Sequence, residues 1–213
     1  FGFLALIALL RACKGRWWYL AAALFIALTL ATGSRSPLLA LGVCAFFGLA
    51  GRWRAAAALG VIGVLLLPLF ADIPDSALAG RDFTRFAIWL EAARGASGLE
   101  WAIGRGLGAP FEVVVAGVPY GHPHSVFAAT FVHGGLIGLI SLAVLSAWLV
   151  KRAYAAPASI GTPFLYGLVI VLLDGSRLVG DINLVWLVYW LPAGALMARS
   201  FTAGKGDRAS HRV

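Results

Sequence analysis

The chain has 213 residues, 61% of them hydrophobic and only 12% charged, with a mean hydropathy of +0.90. These values exclude a water-soluble globular domain and point to an integral membrane protein. The formal net charge of +8 does not imply nucleic acid, because the basic residues are spread along the chain at the ends of apolar runs, where they report topology.

Apolar runs occupy residues 1–10, 17–32, 37–50, 55–70, 125–150, 160–173 and 182–198. A span takes about 20 residues, so several runs cross only if flanking polar residues join the helix. The expected architecture is therefore all-α, a polytopic bundle of about seven transmembrane helices. Phe1 is not an initiator Met and already lies within an apolar run. The chain is accordingly read as the C-terminal part of a longer protein, with one transmembrane domain over 1–199 and a polar, disordered cytoplasmic tail over 200–213. Eight Trp and thirteen Phe, many near the ends of the runs, suit rings anchored at the headgroup level. Cys13 and Cys44 stand far apart in or beside apolar runs and read as small buried residues, not as metal ligands or a disulfide.

Basic residues fill every second connection: Arg11, Lys14 and Arg16, then Arg52 and Arg54, then Lys151 and Arg152, then Arg199, Lys205, Arg208 and Arg212, with Asp207 the one acid among them. The positive-inside rule assigns these connections to the cytoplasm. Arg35, a long loop over 71–124 and the connection 174–181 then share the outer face. A loop of this length carries its own structure. Within it Phe83, Phe86, Ala87 and Leu90 recur at helical spacing, while Arg81, Arg85 and Trp89 fall on another face, as in an amphipathic helix lying on a membrane surface. GRGLG follows at 104–108, and its glycines permit close backbone approach to a ligand or a tight turn.

Two places on the outer face carry the residues for chemistry. At Ser34-Arg35-Ser36-Pro37, Ser36 is suited to cap a helix whose first residue is Pro37. The unpaired amides of that helix start and the Arg35 guanidinium would form an anion site, although an Arg snorkelling to the headgroups gives the same pattern. The stretch 120–138, YGHPHSVFAATFVHGGLIG, holds three of the four histidines. Ser125 is placed to cap the helix running to Val150, which sets His124 at the positive end of a helix dipole and favours a neutral ring, as a general base requires. His122 reads as a loop residue or a partner for His124, and His133, about two turns into the helix, as structural. No Cys or carboxylate stands at ligand spacing near the pair His122 and His124, so a metal site is not expected. Asp174 and Asp181 flank Arg177 in the last outer connection, where they pair with it or orient the histidine.

In order and rough spacing, SRSPLLAL at 34–41, RFAIW at 85–89, IGRGLG at 103–108 and HPHSVF with GGLIGL within 122–139 resemble the O-antigen ligase and polymerase superfamily of bacterial inner-membrane proteins. That family carries a Ser-Arg-Ser/Gly at a helix start, an Arg four before a Trp in the large periplasmic loop, a Gly-x-Gly, and a His-Asn eleven residues before the Gly of Gly-Leu-Ile-Gly. The resemblance covers 34 to about 145, and it implies a metal-independent glycosyltransferase that needs no cofactor. It implies a polyprenyl-diphosphate-linked glycan as donor, and lipid A core or a growing glycan as acceptor, within the lipid of the inner membrane and with the active site facing the periplasm. It also implies that Arg35 and Arg85, with Arg81 as an additional candidate, bind the donor diphosphate. His124 would activate or orient the acceptor hydroxyl, helped by Asp174 or Asp181. Ser125 replaces the usual Asn, and His133 stands where many members carry Glu. O-antigen ligase is the leading reading and an O-antigen or exopolysaccharide polymerase its alternative. A transporter or flippase of lipid-linked or anionic solutes fits less well, since transporters hold their sites near the midplane and these residues gather at one face.

Overall fold

The structure, a computed structural model, describes residues 1–32, 35–48, 75–175 and 183–210, without the side chains at 13, 35, 47–48, 75–83 and 202–210. The expected run 55–70 and the candidates Arg177 and Asp181 lie outside the described residues. In chain order the elements are α1 (Gly2–Arg11), α2 (Trp17–Ala31), α3 (Arg35–Gly48), α4 (Asp75–Arg94), a single turn α5 (Glu100–Ile103), strands β1 (Val113–Val115) and β2 (Val118–Tyr120), α6 (Val126–Ala155), α7 (Ala158–Leu173), a π-helical turn (Trp186–Trp190) and α8 (Leu191–Ser210). The chain is thus mostly helical, as expected, with one β-hairpin that an all-α reading omits.

The hairpin follows from VVVAGVPY. Its β-branched residues favour strand, and the two residues at its turn, Ala116 (φ 51°) and Gly117 (φ 80°), both take the left-handed backbone of the tight turns that match strand twist. Val113 pairs with Tyr120 and Val115 with Val118.

Two compact units divide the chain. One gathers α1 to α3, the second part of α6 from Ser146, most of α7 and the C-terminal helices; the other gathers α4, α5, the hairpin, α6 as far as Leu145, and the end of α7. In the first unit Leu6, Ala40, Cys44 and Tyr166 form a buried cluster. Small residues let its backbones come close, the usual device where lipid removes the hydrophobic drive between helices: a Cβ on Gly161 would meet the backbone of Ala153, and one on Gly167 that of Val188. α2 is apolar on every side and buries only Ala22 and Thr29, and the Thr29 hydroxyl donates to the carbonyl of Phe25 at 2.7 Å. A buried hydroxyl satisfied within its own helix leaves the outer surface free to meet lipid.

Among the described residues, Val126–Ala155 is long and apolar enough to cross a membrane, while α1, α2, the apolar part of α3 and α7 are shorter. At 10 residues, α1 rises only about 15 Å. The described helices therefore support a membrane-type protein without establishing seven spans. Two boundaries also differ from expectation. α3 begins at Arg35, which puts Ser36 inside the first turn instead of ahead of it; proline is compatible with any position of that turn. α8 continues to Ser210, past the point where a disordered tail is expected, since extending an existing helix is easier than nucleating one.

α6 is not one straight helix. Gly135 has φ 60° and ψ −160°, outside the helical region, and divides it into 126–134 and 136–155. The expectation of an unbroken helix running inward from Ser125 is corrected here. The break is filled from the GRGLG loop. The Arg105 amide donates to the Val132 carbonyl at 2.8 Å and the Gly106 amide to that of His133 at 3.0 Å. The protonated ring nitrogen Nδ1 of His133 donates to the Gly106 carbonyl at 3.0 Å. Backbone groups that the break would orphan are thereby paired. This close approach allows no side chain at Gly104 or Gly135: a Cβ at Gly104 would meet the backbone of His133 and Gly134, and one at Gly135 the backbone of Ala102 and Gly104.

Candidate active site

The second unit holds an open pocket of about 530 Å³ lined by Thr84, Arg85, Ile88, Tyr120, His122, His124 and Asp174. Its floor is α4, which packs through Ile88 and Ala92 against Phe111 and Val132, with Trp89, Val113, Val115 and Tyr120 closing around them. This agrees with the expected amphipathic helix, whose apolar face is left free of protein. Phe86 and Leu90 are 66% and 44% exposed, while the face carrying Arg85 and Trp89 turns toward the unit. Hydrophobicity does not choose the buried face where the exposed one can meet lipid.

The wall of the pocket is the loop His122-Pro123-His124. His124 sits in the left-handed region at φ 52°, a conformation that His tolerates better than most residues. Four hydrogen bonds hold the loop there. The His124 amide donates to Nδ1 of His122 at 2.9 Å, so a neutral His122 carries its proton on Nε2. The indole N–H of Trp89 donates to the Pro123 carbonyl at 2.6 Å. Ser125, buried, caps α6 by accepting the Ala128 amide on Oγ at 3.4 Å, and its carbonyl takes the Ala129 amide at 2.9 Å. Trp89→Phe keeps an aromatic ring and deletes one hydrogen bond of about 1 kcal/mol. The expected result is roughly fivefold faster hydrogen exchange at the His124 amide, with the α4 amides unchanged; equal exchange in the two proteins would remove Trp89 as the support of this loop.

The remaining wall comes from the end of α7. Arg85 donates from a terminal guanidinium nitrogen to the Leu173 carbonyl at 2.9 Å, one of the carbonyls a helix end leaves without an intrahelical partner. Next to it Asp174, exposed at the rim, accepts the Gly175 amide at 2.8 Å. Arg85 has five N–H donors, and its guanidinium lines the pocket while anchored to the end of α7.

The His124 imidazole titrates below its ordinary value. Burial is the main cause, the neighbouring His122 and then Arg85 add to it, and Asp174 opposes them. The direction is the one expected from the helix dipole, with burial as the leading cause. His122 and His124 stack with ring centres 4.4 Å apart.

Of the residues singled out in the sequence, His122, His124, Arg85 and Asp174 come together around this pocket, and Ser125 supports it. Gly104, Gly106 and His133 instead build the clasp on α6. Arg35 begins α3 in the other unit, and Arg81 lies one turn before Arg85 on α4, both with side chains outside the described set; Asp181 is outside it altogether. Sequence reasoning missed Thr84, Ile88 and Tyr120 as lining residues and Trp89 as the loop's support, although Trp89 stood in the RFAIW motif.

The fold is helical and of membrane type, and its pocket joins an imidazole, a guanidinium and a carboxylate. Over 188 residues the chain is 31% identical to an O-antigen ligase of Pseudomonas aeruginosa, covering 83% of this chain and 46% of that protein. The chain belongs to the O-antigen ligase and polymerase superfamily. It spans about half the length of the relative it matches. No family model and no solved structure matches it.

Proposed function

We propose that this chain carries the reaction site of an inner-membrane glycosyltransferase of the O-antigen ligase type, joining a glycan from a polyprenyl-diphosphate carrier to lipid A core at the periplasmic face. The observation that carries the reading is the placement of His124, with its lowered basicity, in one pocket with Arg85 and Asp174. In the reaction the acceptor hydroxyl oxygen forms a bond to the anomeric carbon as the bond from that carbon to the phosphate oxygen breaks. The bonding pair leaves with the polyprenyl diphosphate, and the hydroxyl proton passes to His124. Arg85, fixed to the end of α7, faces the developing charge without having to reorganise, which is where such groups contribute most. Arg81, one turn before Arg85, and Arg35 are proposed as further diphosphate-binding residues on the family resemblance.

A neutral His124 is the active form of the base, and its pKa lies below the ordinary value near 6.5. Transfer should therefore be independent of pH around neutrality and fall only as pH drops through that lowered pKa. Removing a positive neighbour raises the pKa and removing a negative one lowers it. Arg85→Gln is thus expected to move the acid limb of the rate profile up toward 6.5, and Asp174→Asn to move it further down. A limb that stays in place in both variants would take His124 out of the titration.

The reaction itself is tested in a strain lacking the full-length gene. Carrier-linked glycan that accumulates with normal chain lengths supports ligation, whereas loss of long chains with single repeat units still joined to the core identifies a polymerase.

A further inference from the structure

The clasp on α6 fixes where another part of the chain must lie. Below Gly135 the apolar run continues over 136–150 to Lys151 and Arg152, a rise of about 22 Å within a hydrocarbon core of about 30 Å. With those two cations at the inner edge, the break falls near the outer membrane boundary, and α5 with its flanking residues is bound to that break through backbone. This segment exposes an unusual amount of apolar surface: Leu99 is 70% exposed, Trp101 43%, Ile103 52% and Leu107 73%. Exposed apolar surface of this extent marks an interaction site.

The side-chain polar groups of the segment are paired from within. The Trp101 indole N–H donates to the Ala96 carbonyl at 3.1 Å. Arg105 donates to the Gly95 carbonyl at 2.7 Å and pairs with Glu100 at 3.5 Å. The amides of residues 102 to 104 bond to carbonyls of the same turn. A segment with these groups paired, its charge balanced and its large apolar side chains outward suits the interfacial layer, where remaining backbone groups still meet water and headgroups.

We propose that residues 99–107 are a foot embedded in the interfacial layer of the lipid bilayer, its occupant being lipid itself and not a protein partner. The position at the end of the apolar helix distinguishes the two, because the exposed face of that helix, with Leu136, Ile137 and Ile140 all exposed, continues from the same break. The foot rests on the reading of 136–150 as a span. It ties the pocket-bearing unit to the membrane surface by a second attachment.

The test uses the full-length protein in phosphatidylethanolamine and phosphatidylglycerol vesicles, with native cysteines replaced by Ala and one fluorophore attached through Leu99→Cys, Leu107→Cys or Ile140→Cys. Nitroxides at the headgroup, shallow and deep acyl positions and iodide in the water serve as quenchers. The foot labels should be quenched best by headgroup or shallow nitroxides and shielded severalfold from iodide, while the Ile140 label responds best to the deeper one. Free iodide access at Leu99 and Leu107 with a lipid-quenched Ile140 overturns the foot and leaves the span. An Ile140 label quenched by iodide alone overturns the span, and the foot with it.

Discussion

Replacing His124 by Asn is expected to lower glycan transfer by about 10²- to 10⁴-fold, the usual range for losing a positioned proton acceptor, with donor binding and folding retained. Asn is the informative substitution because of the backbone. His124 holds φ 52°, and an ordinary L-residue there costs roughly 1–2 kcal/mol, which Asn largely avoids. His124→Ala removes the base and strains the turn together, so its loss of activity would be ambiguous alone. Agreement between the Asn and Ala variants in turnover, with only Ala lowering the melting temperature, would separate the two effects. Purified full-length protein and a lipid-linked glycan donor supply the assay. Turnover within a few-fold of the parent for His124→Asn would sink the proposed role, whatever the Ala variant does.

The largest expected effect on folding belongs to the clasp. Gly135→Ala places a Cβ on the backbone of Ala102 and Gly104 at φ 60°, ψ −160°, a region in which nearly all residues are glycine. The strain costs of order 1–3 kcal/mol and the forced overlap with unyielding backbone a further 1–3 kcal/mol, together a large part of a typical stability of about 5–15 kcal/mol. Gly104→Ala, at φ 72° against the backbone of His133 and Gly134, is expected to behave alike. Gly134 is the control, since a Cβ there meets nothing within 4 Å. Gly134→Ala should be neutral or stabilising by up to about 1 kcal/mol. Melting of detergent-purified full-length protein reads all three, and equal tolerance of Ala at 134 and 135 would refute the clasp.

What the sequence made legible divides along physical lines. Local rules worked where the cause is local: the Ser125 cap follows from a hydroxyl ahead of an apolar run, and the VVVAGVPY hairpin was available from β-branched residues around a glycine turn although it was not drawn. Contacts between distant backbones were not legible. Nothing in RFAIW says that Arg85 reaches the carbonyl of Leu173, 88 residues away. Nothing in GRGLG or HGGLIG alone says that the two are halves of one joint. The spacing of eleven from His124 to Gly135, a mark of the family, has a structural meaning: the ten residues between them are the cap Ser125 and the first part of α6, 126–134. The two faces of α4 are legible from spacing, but which residues of its other face pack against Phe111 and Val132 is not.

The joint between Gly106 and His133, 27 positions apart, has a consequence for how this region changes over time. In a stretch pinned at both ends to one point, growth at the Ala116–Gly117 tip leaves the anchorage untouched. Doubling a flexible loop costs only about 0.6 kcal/mol in closure entropy. Sequence drift and insertion can therefore accumulate at the hairpin tip, while the two glycines of the fastening are held fixed by backbone on the opposite side.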